Sequence, residues 1–293
     1  MRTPERPADP QAISMERQAT RVTITAYRAG AVEEREDRLS GEEPLAIRAA
    51  GPDQQPVDVA VTMRTPGHEQ ELAAGFLRTE GLIDDSDGIT SFTTGDPATD
   101  SRPDDTITVH LARPFNPGLV AERHFVATAS CGICGKASLD EVEVRSAPIP
   151  PGPIIDAPTI LALPIALRAA QQVFEHTGGL HAAGLFAPDG TLLELREDVG
   201  RHNALDKLVG SQVLAGALPL HDRIVLVSGR ASFELVQKAA VAGVPILAAV
   251  SAPSDLAVDA AERLGVTLVG FLRGDGFNVY TRRDRVRVAR AGS

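Results

Sequence analysis

The chain has 293 residues, 43% of them hydrophobic, enough to bury the core of one large domain or two modest ones. A formal net charge of −10 opposes general binding to nucleic acid or to an anionic membrane surface, and zero Trp with two Tyr leaves little aromatic surface for stacking single-stranded bases. The only two cysteines stand three positions apart, which excludes a multi-bridge disulfide framework and points to a reducing, cytoplasmic compartment.

Residues 1–19 combine proline, alanine and both charge signs without apolar periodicity, so a disordered tail is expected, and the stretch lacks the apolar core of a secretory signal. Arg21–Tyr27 and Val57–Met63 alternate apolar and polar residues and predict half-buried strands. Thr65-Pro66 predicts an N-cap and first turn for a helix that Gly81 closes. Asp105–Leu111 and His124–Thr128 predict further strands, the second running straight into Ser130-Cys131-Gly132-Ile133-Cys134-Gly135. Residues 20–145 are thus expected to form a smaller, strand-rich α+β N-terminal subdomain. The prolines of 146–158 predict a stiff linker.

Beyond the linker, Thr159–His176 has helical length and spacing and ends at Gly178-Gly179, and His181–Arg196 predicts a hairpin turning at Asp189-Gly190. Strand Arg223–Val227, helix Ser232–Ala242, strand Pro245–Val250, helix Ser254–Leu264 and strand Val266–Leu272 then alternate. That order implies right-handed βαβ units, so 159–293 is expected to be an α/β subdomain with a mostly parallel sheet and flanking helices. The longest apolar stretch, Ala239–Val250, is interrupted by Gly243 and Pro245 and falls short of the roughly 20 residues a bilayer requires.

Cys131 and Cys134 sit among glycines beside Lys136, surroundings that can favour the nucleophilic thiolate. The C-x-x-C spacing suits a dithiol centre or half of a zinc site equally. A zinc site lacks a second such pair, a thioredoxin-like centre should lie near a βαβ unit, and two incidental thiols in a glycine-rich turn are a further possibility. His181 lies on a glycine-flanked strand. Asp198, Arg201, His202 and Asn203 crowd the start of a predicted helix, where they could bind an anionic ligand or where Asp198 or Asn203 could simply cap, with Asp206 and Lys207 on the wet face. Ser228-Gly229-Arg230, Ser254-Asp255 and Phe271-Leu272-Arg273-Gly274-Asp275-Gly276 each follow a strand of the α/β region, where open sheets bind ligands. Arg230 and Arg273 are the best candidates for phosphate contacts.

Six segments in order carry a resemblance: Thr65-Pro66-Gly67, Ala74 to Ile83, Ser130 to Lys136, Gly179 to Ala183, Glu197 to Lys207 and Ser228 to Lys238. Together they resemble the formate dehydrogenase accessory sulfurtransferases, the FdhD/NarQ family, from about residue 21 onward. The resemblance implies a cytidine-deaminase-like fold, a homodimer, and a sulfur carrier that takes sulfane sulfur from a cysteine desulfurase. It passes that sulfur to the molybdenum cofactor, a bis(molybdopterin guanine dinucleotide), before insertion into the formate dehydrogenase catalytic subunit. Cys131 would bear the persulfide with Cys134 as its partner. Phe271, Leu272, Arg273, Gly274, Asp275 and Gly276 would match the cofactor-binding stretch, joined by Ser228, Gly229, Arg230, His181 and His202, and no tightly bound metal is implied. A zinc deaminase, the rival on such a fold, requires H-x-E and P-C-x-x-C. Neither pattern is present. The noncatalytic alternative is an insertion chaperone that binds the cofactor without carrying sulfur.

Overall fold

A computed structural model describes residues 17–84, 87–96, 102–123 and 148–288. The expected tail up to residue 16, the strand at 124–128, most of the proline-poor start of the linker and the loop of Cys131 and Cys134 lie outside the described residues.

The N-terminal lobe opens with β1 (Ala19–Arg28) and β2 (Ala31–Ser40), an antiparallel ribbon turning at Ala29 and Gly30, both at positive φ. β2 holds four acidic residues and no apolar alternation. Its strand comes from continuous pairing with β1, a long-range cause that local periodicity does not carry. β3 (Glu43–Ala50), β4 (Val57–Arg64), β5 (Ile89–Thr94) and β6 (Thr106–Leu111) form a second sheet in the order β4-β3-β6-β5, with only β3 and β6 parallel. Leu45 and Ile47 of β3 and Val109 of β6 meet Leu72 and Leu77 of helix α1 (Glu69–Thr79) in this lobe's core. The helix begins later than Thr65-Pro66 predicted. His68, in left-handed backbone, precedes it, and Thr65 does not cap: its hydroxyl donates to Gly41 O at 3.0 Å and accepts from Val199 N at 3.1 Å. A short helix α2 (Gly118–Arg123) follows β6.

Past the prolines, β7 (Ile155–Asp156) pairs with β14 (Val286–Arg287) near the chain's end. Helix α3 (Ala157–Ala170) carries Pro158 in its first turn, where its missing N–H costs nothing. The helix predicted over Thr159–His176 is two helices. The chain breaks at Gln171, and α4 (Gln172–Thr177) starts afresh because the Glu197 carboxylate accepts from Val173 N at 3.0 Å and Phe174 N at 2.9 Å. β8 (His181–Phe186) and β9 (Leu192–Asp198) form the expected hairpin, and α5 (Arg201–Leu214) follows. Then come β10 (Ile224–Val227), α6 (Phe233–Val241), β11 (Ile246–Ala249), α7 (Asp255–Leu264), β12 (Thr267–Arg273) and β13 (Gly276–Val279). Ser254 caps α7 by accepting from Ala257 N, so it serves the helix start.

The architecture is mixed α/β. One expectation is corrected: the six-stranded sheet, ordered β13-β12-β11-β10-β8-β9, is not mostly parallel. β10, β11 and β12 are parallel, and the two hairpins add antiparallel strands at both flanks. Hairpin turns return the chain beside itself, which a parallel pairing cannot do.

The two lobes meet where α1 crosses α5. A Cβ on Gly75 would stand 1.8 Å from Asp206 O, and one on Gly210 would stand 1.8 Å from Glu71 O, so only glycines permit this backbone approach. Around the crossing lies a buried polar seam. Lys238 Nζ donates to Asp206 Oδ2, Glu80 Oε1 and Thr79 Oγ1, each at 2.9 Å. Lys207 Nζ donates to Thr65 O at 2.8 Å and pairs with Asp198 Oδ2 at 2.7 Å. Asn203 Nδ2 reaches Met63 O at 2.7 Å. Asp206 and Lys207 are each only 1% exposed, contrary to the wet face expected for them. Burial works against the Lys238 ammonium, but the Asp206 and Glu80 carboxylates overcome it and hold the group charged above the usual lysine range.

Candidate functional site

The carboxyl ends of β10, β11 and β12 lie at one edge of the sheet, the crevice of the ligand-binding expectation, and backbone hydrogen bonds lace their loops together. Ser228 N donates to Ala182 O at 2.9 Å, and Ala182 N donates to Ser228 Oγ at 2.9 Å, which clamps the first loop against β8. Ser251 N then donates to Gly229 O at 3.3 Å, and Phe271 N donates to Ser251 O at 3.1 Å. The predicted Ser228–Arg230 and Phe271–Gly276 stretches are therefore linked through Ser251, a residue that sequence reasoning did not single out. Parallel strands set side by side place their following loops at one edge, so this convergence follows from topology.

His181 starts β8 under this edge. A Cβ on Gly229 would come 3.3 Å from His181 Nδ1 and 3.8 Å from Arg201 Cδ, so the imidazole, the guanidinium and the Ser228–Arg230 loop share one spot. His202, in the first turn of α5, sets Nε2 3.2 Å from Ser232 Oγ and 3.3 Å from Glu234 Oε2. Burial and then the Arg201 charge push His181 below the usual histidine range, against the pull of Asp198. Burial, Arg201 and Lys238 push His202 down to about 3. Both rings are therefore neutral near pH 7, and the contact of His202 with Glu234 is a hydrogen bond rather than an ion pair.

Arg230 and Arg273 are exposed on the rim, and the Arg273 guanidinium stands 5.6 Å from the Phe271 ring centroid. Gly274 and Gly276 have open space where a Cβ would be, and Asp275 is exposed beside them. Leu272 has its side chain fully buried in the core that also holds Val269, three residues earlier, because β12 shifts register between Gly270 and Arg273 around Phe271, which is in left-handed backbone, and only the Leu272 backbone is left for a ligand. The structure thus gathers Ser228, Gly229, His181, Arg201 and His202 and connects them by backbone to Phe271. Cys131 and Cys134 lie outside the described residues. Among the described residues, no cluster of three or more His, Cys, Asp or Glu could hold a metal ion, and no helix is long and apolar enough to cross a membrane.

Arrangements of this kind can bind an anionic ligand. Guanidinium groups on an edge of exposed backbone supply bidentate donors to phosphate, and neutral imidazoles add directional hydrogen bonds without further charge.

The chain is similar to proteins of known sequence and structure. A solved structure from Desulfotalea psychrophila, described as that of a candidate formate dehydrogenase accessory protein, superposes with a TM-score of 0.72 at 26% identity, covering 92% of this chain and 100% of that one. A Streptomyces avermitilis protein named sulfur carrier protein FdhD is 48% identical over 95% of this chain and 99% of its own length. The protein of the same name from Mycolicibacterium paratuberculosis is 50% identical over 91% of this chain and 98% of its own. The family model described as FdhD/NarQ matches residues 40–287, from the end of β2 to the end of β14, and the chain belongs to the FdhD/NarQ family.

Proposed function

We propose that the protein is a sulfur carrier required for formate dehydrogenase activity, a sulfurtransferase that holds sulfur as a persulfide on Cys131. The observation that carries this reading is family membership together with relatives about half identical over almost their full length that bear the name sulfur carrier protein FdhD. In sulfur uptake the Cys131 thiolate attacks the terminal sulfur of a persulfide on a cysteine desulfurase. A new sulfur–sulfur bond forms at Cys131 while the donor's breaks, and the donor cysteine leaves as a thiolate. Cys134, three positions on, is the partner thiol, and delivery returns Cys131 to the thiolate.

The cargo is the molybdenum cofactor, a bis(molybdopterin guanine dinucleotide), on its way to the formate dehydrogenase catalytic subunit. The crevice suits such a ligand: Arg230 and Arg273 would take phosphate, the Phe271 face and the Gly274–Gly276 backbone would pack beside it, and His181, His202 and Ser228 would orient polar groups. A cytoplasmic homodimer with a cytidine-deaminase-like C-terminal lobe completes the reading, its boundaries lying near residue 145 and residue 159.

A cofactor-binding insertion chaperone is the second reading, and the observation favouring it is the gathering of Arg230, Arg273 and two neutral histidines around the loops that follow β10 and β12. Intact-protein mass spectrometry after incubation with an active cysteine desulfurase and cysteine separates the two. A mass gain of one sulfur in wild type and in Cys134→Ala, lost in Cys131→Ala, is expected. No gain in wild type would leave only the chaperone.

A further inference from the structure

Helix α3 is apolar on every side. Among its 14 residues only Arg168 is charged, and Thr159 is the one other polar side chain. The inner stripe, Ile160, Leu163 and Leu167, packs in one core with Leu226 of β10, Ile246 of β11 and Leu272 of β12. The opposite stripe, Pro158, Ala162, Ile165 and Ala169, repeats at the same helical spacing and is exposed, Ile165 to 74%. Ile154 and Val288, 56% and 69% exposed, lengthen the patch, because the pairing of β7 with β14 brings both to the start of α3. A helix that is apolar all round is a buried helix, and a continuous apolar stripe left on a surface marks an interaction site.

We infer that the outer face of α3 is where two copies of this chain pair, antiparallel, with Ala162 on the twofold axis. The inference names the interface of the homodimer in the proposed function and rests on that reading. The stripe is complementary to itself. In such a pair, residues equally far before and after Ala162 stand at the same height, so Ile165 falls against Pro158 and Thr159 of the second copy. Ala162 itself is small enough for the helix axes to approach to about 8 Å. Asp156 lies six residues before Ala162 and Arg168 six after, so opposite charges meet at both ends of the pair. Within one copy Asp156 meets Arg287 at 3.4 Å and Arg168 lies over the Phe174 ring, yet both remain exposed and within reach of a second copy. This match of charge at equal heights favours a second copy over an unrelated apolar partner.

The test is sedimentation velocity of the full chain at micromolar concentrations, joined to cysteine crosslinking. We expect wild type to sediment as a dimer and Ile165→Glu to dissociate about tenfold more readily or worse, since each copy would bury a carboxylate at the contact. Arg168→Asp should weaken the dimer, and adding Asp156→Arg should restore it. Restoration requires a folded chain, so it decides the matter even where Ile165→Glu fails to fold. In a chain carrying Cys131→Ser and Cys134→Ser, Ala162→Cys should oxidise to a covalent dimer. Ala169→Cys should not, because its two copies would stand about 21 Å apart along the pair, far beyond disulfide reach. A monomeric wild type, a dimer indifferent to Ile165→Glu, a double charge variant no better than Arg168→Asp alone, or crosslinking at Ala169 in preference to Ala162 would overturn the inference. A dimer that survives Ile165→Glu would use another face and leave the homodimer standing. Sulfur loading is read separately by mass, so failure of this interface and failure of the carrier reading give different results.

Discussion

The seam between the lobes and the crevice above the sheet are both rich in charge, yet they treat it in opposite ways. In the seam, Lys238 faces Asp206 and Glu80, and Lys207 faces Asp198, each pair within 2.9 Å and closed off from water. In the crevice, Arg201, Arg230 and Arg273 meet no carboxylate among the described residues. Matched charge fixes two lobes in one orientation, while these arginines carry charge that no carboxylate of the described residues pairs. Segments that look alike in the chain therefore do different work: Asp198, Asn203, Asp206 and Lys207 hold the lobes, and Arg201 and His202, interleaved with them in sequence, lie toward the Gly229 loop and Ser232.

The largest effect should come from breaking the seam. Lys238→Met leaves Asp206 and Glu80 buried without their cation, and removing one partner of a buried pair costs about 3–5 kcal/mol. Chemical denaturation should show that loss; a variant as stable as wild type would mean the seam is not holding the lobes.

A smaller effect is expected from pH at the border of the two regions. A histidine in the unfolded chain takes its proton near 6.5, but folded His202 does so only near 3. The unfolded state therefore binds more protons between those values, so stability is complete above about pH 6.5 and declines as pH falls. The decline amounts to about 2 kcal/mol by about pH 5. His202→Gln should flatten this part of the stability curve, and an unchanged slope would assign it to other groups.

The crevice gives the smallest change in free energy. Arg230→Ala and Arg273→Ala should each weaken retention of the molybdenum cofactor roughly tenfold, the worth of one charge-assisted hydrogen bond, and weaken persulfide formation at Cys131 less. Equal cofactor retention in wild type and variants, measured by gel filtration with bound molybdenum, would remove these two residues from the site.

Much of the C-terminal lobe was legible in the chain. β10 and β11 are short runs of apolar residues buried on both faces, the helices after them begin at the serines that predicted them, and the order of strands alone places the three following loops at one edge. What the chain hid was pairing across distance. The charged β2 is a strand only because β1 lies beside it, the break at Gln171 depends on a carboxylate from β9, and the burial of Asp206 depends on Lys238 and Thr79 from two other helices. Local periodicity carries no record of such partners. The burial of Leu272 was hidden too, since it follows from a register shift around Phe271 that strand periodicity does not foretell.

Formate dehydrogenase activity in cells whose only copy of this protein is Cys131→Ala, compared with the wild-type protein at equal abundance, tests the carrier claim most directly. The account predicts that activity is lost although the variant still folds and still retains cofactor. Full activity with Cys131→Ala would contradict it and make the crevice, rather than the cysteine, the working part of the molecule.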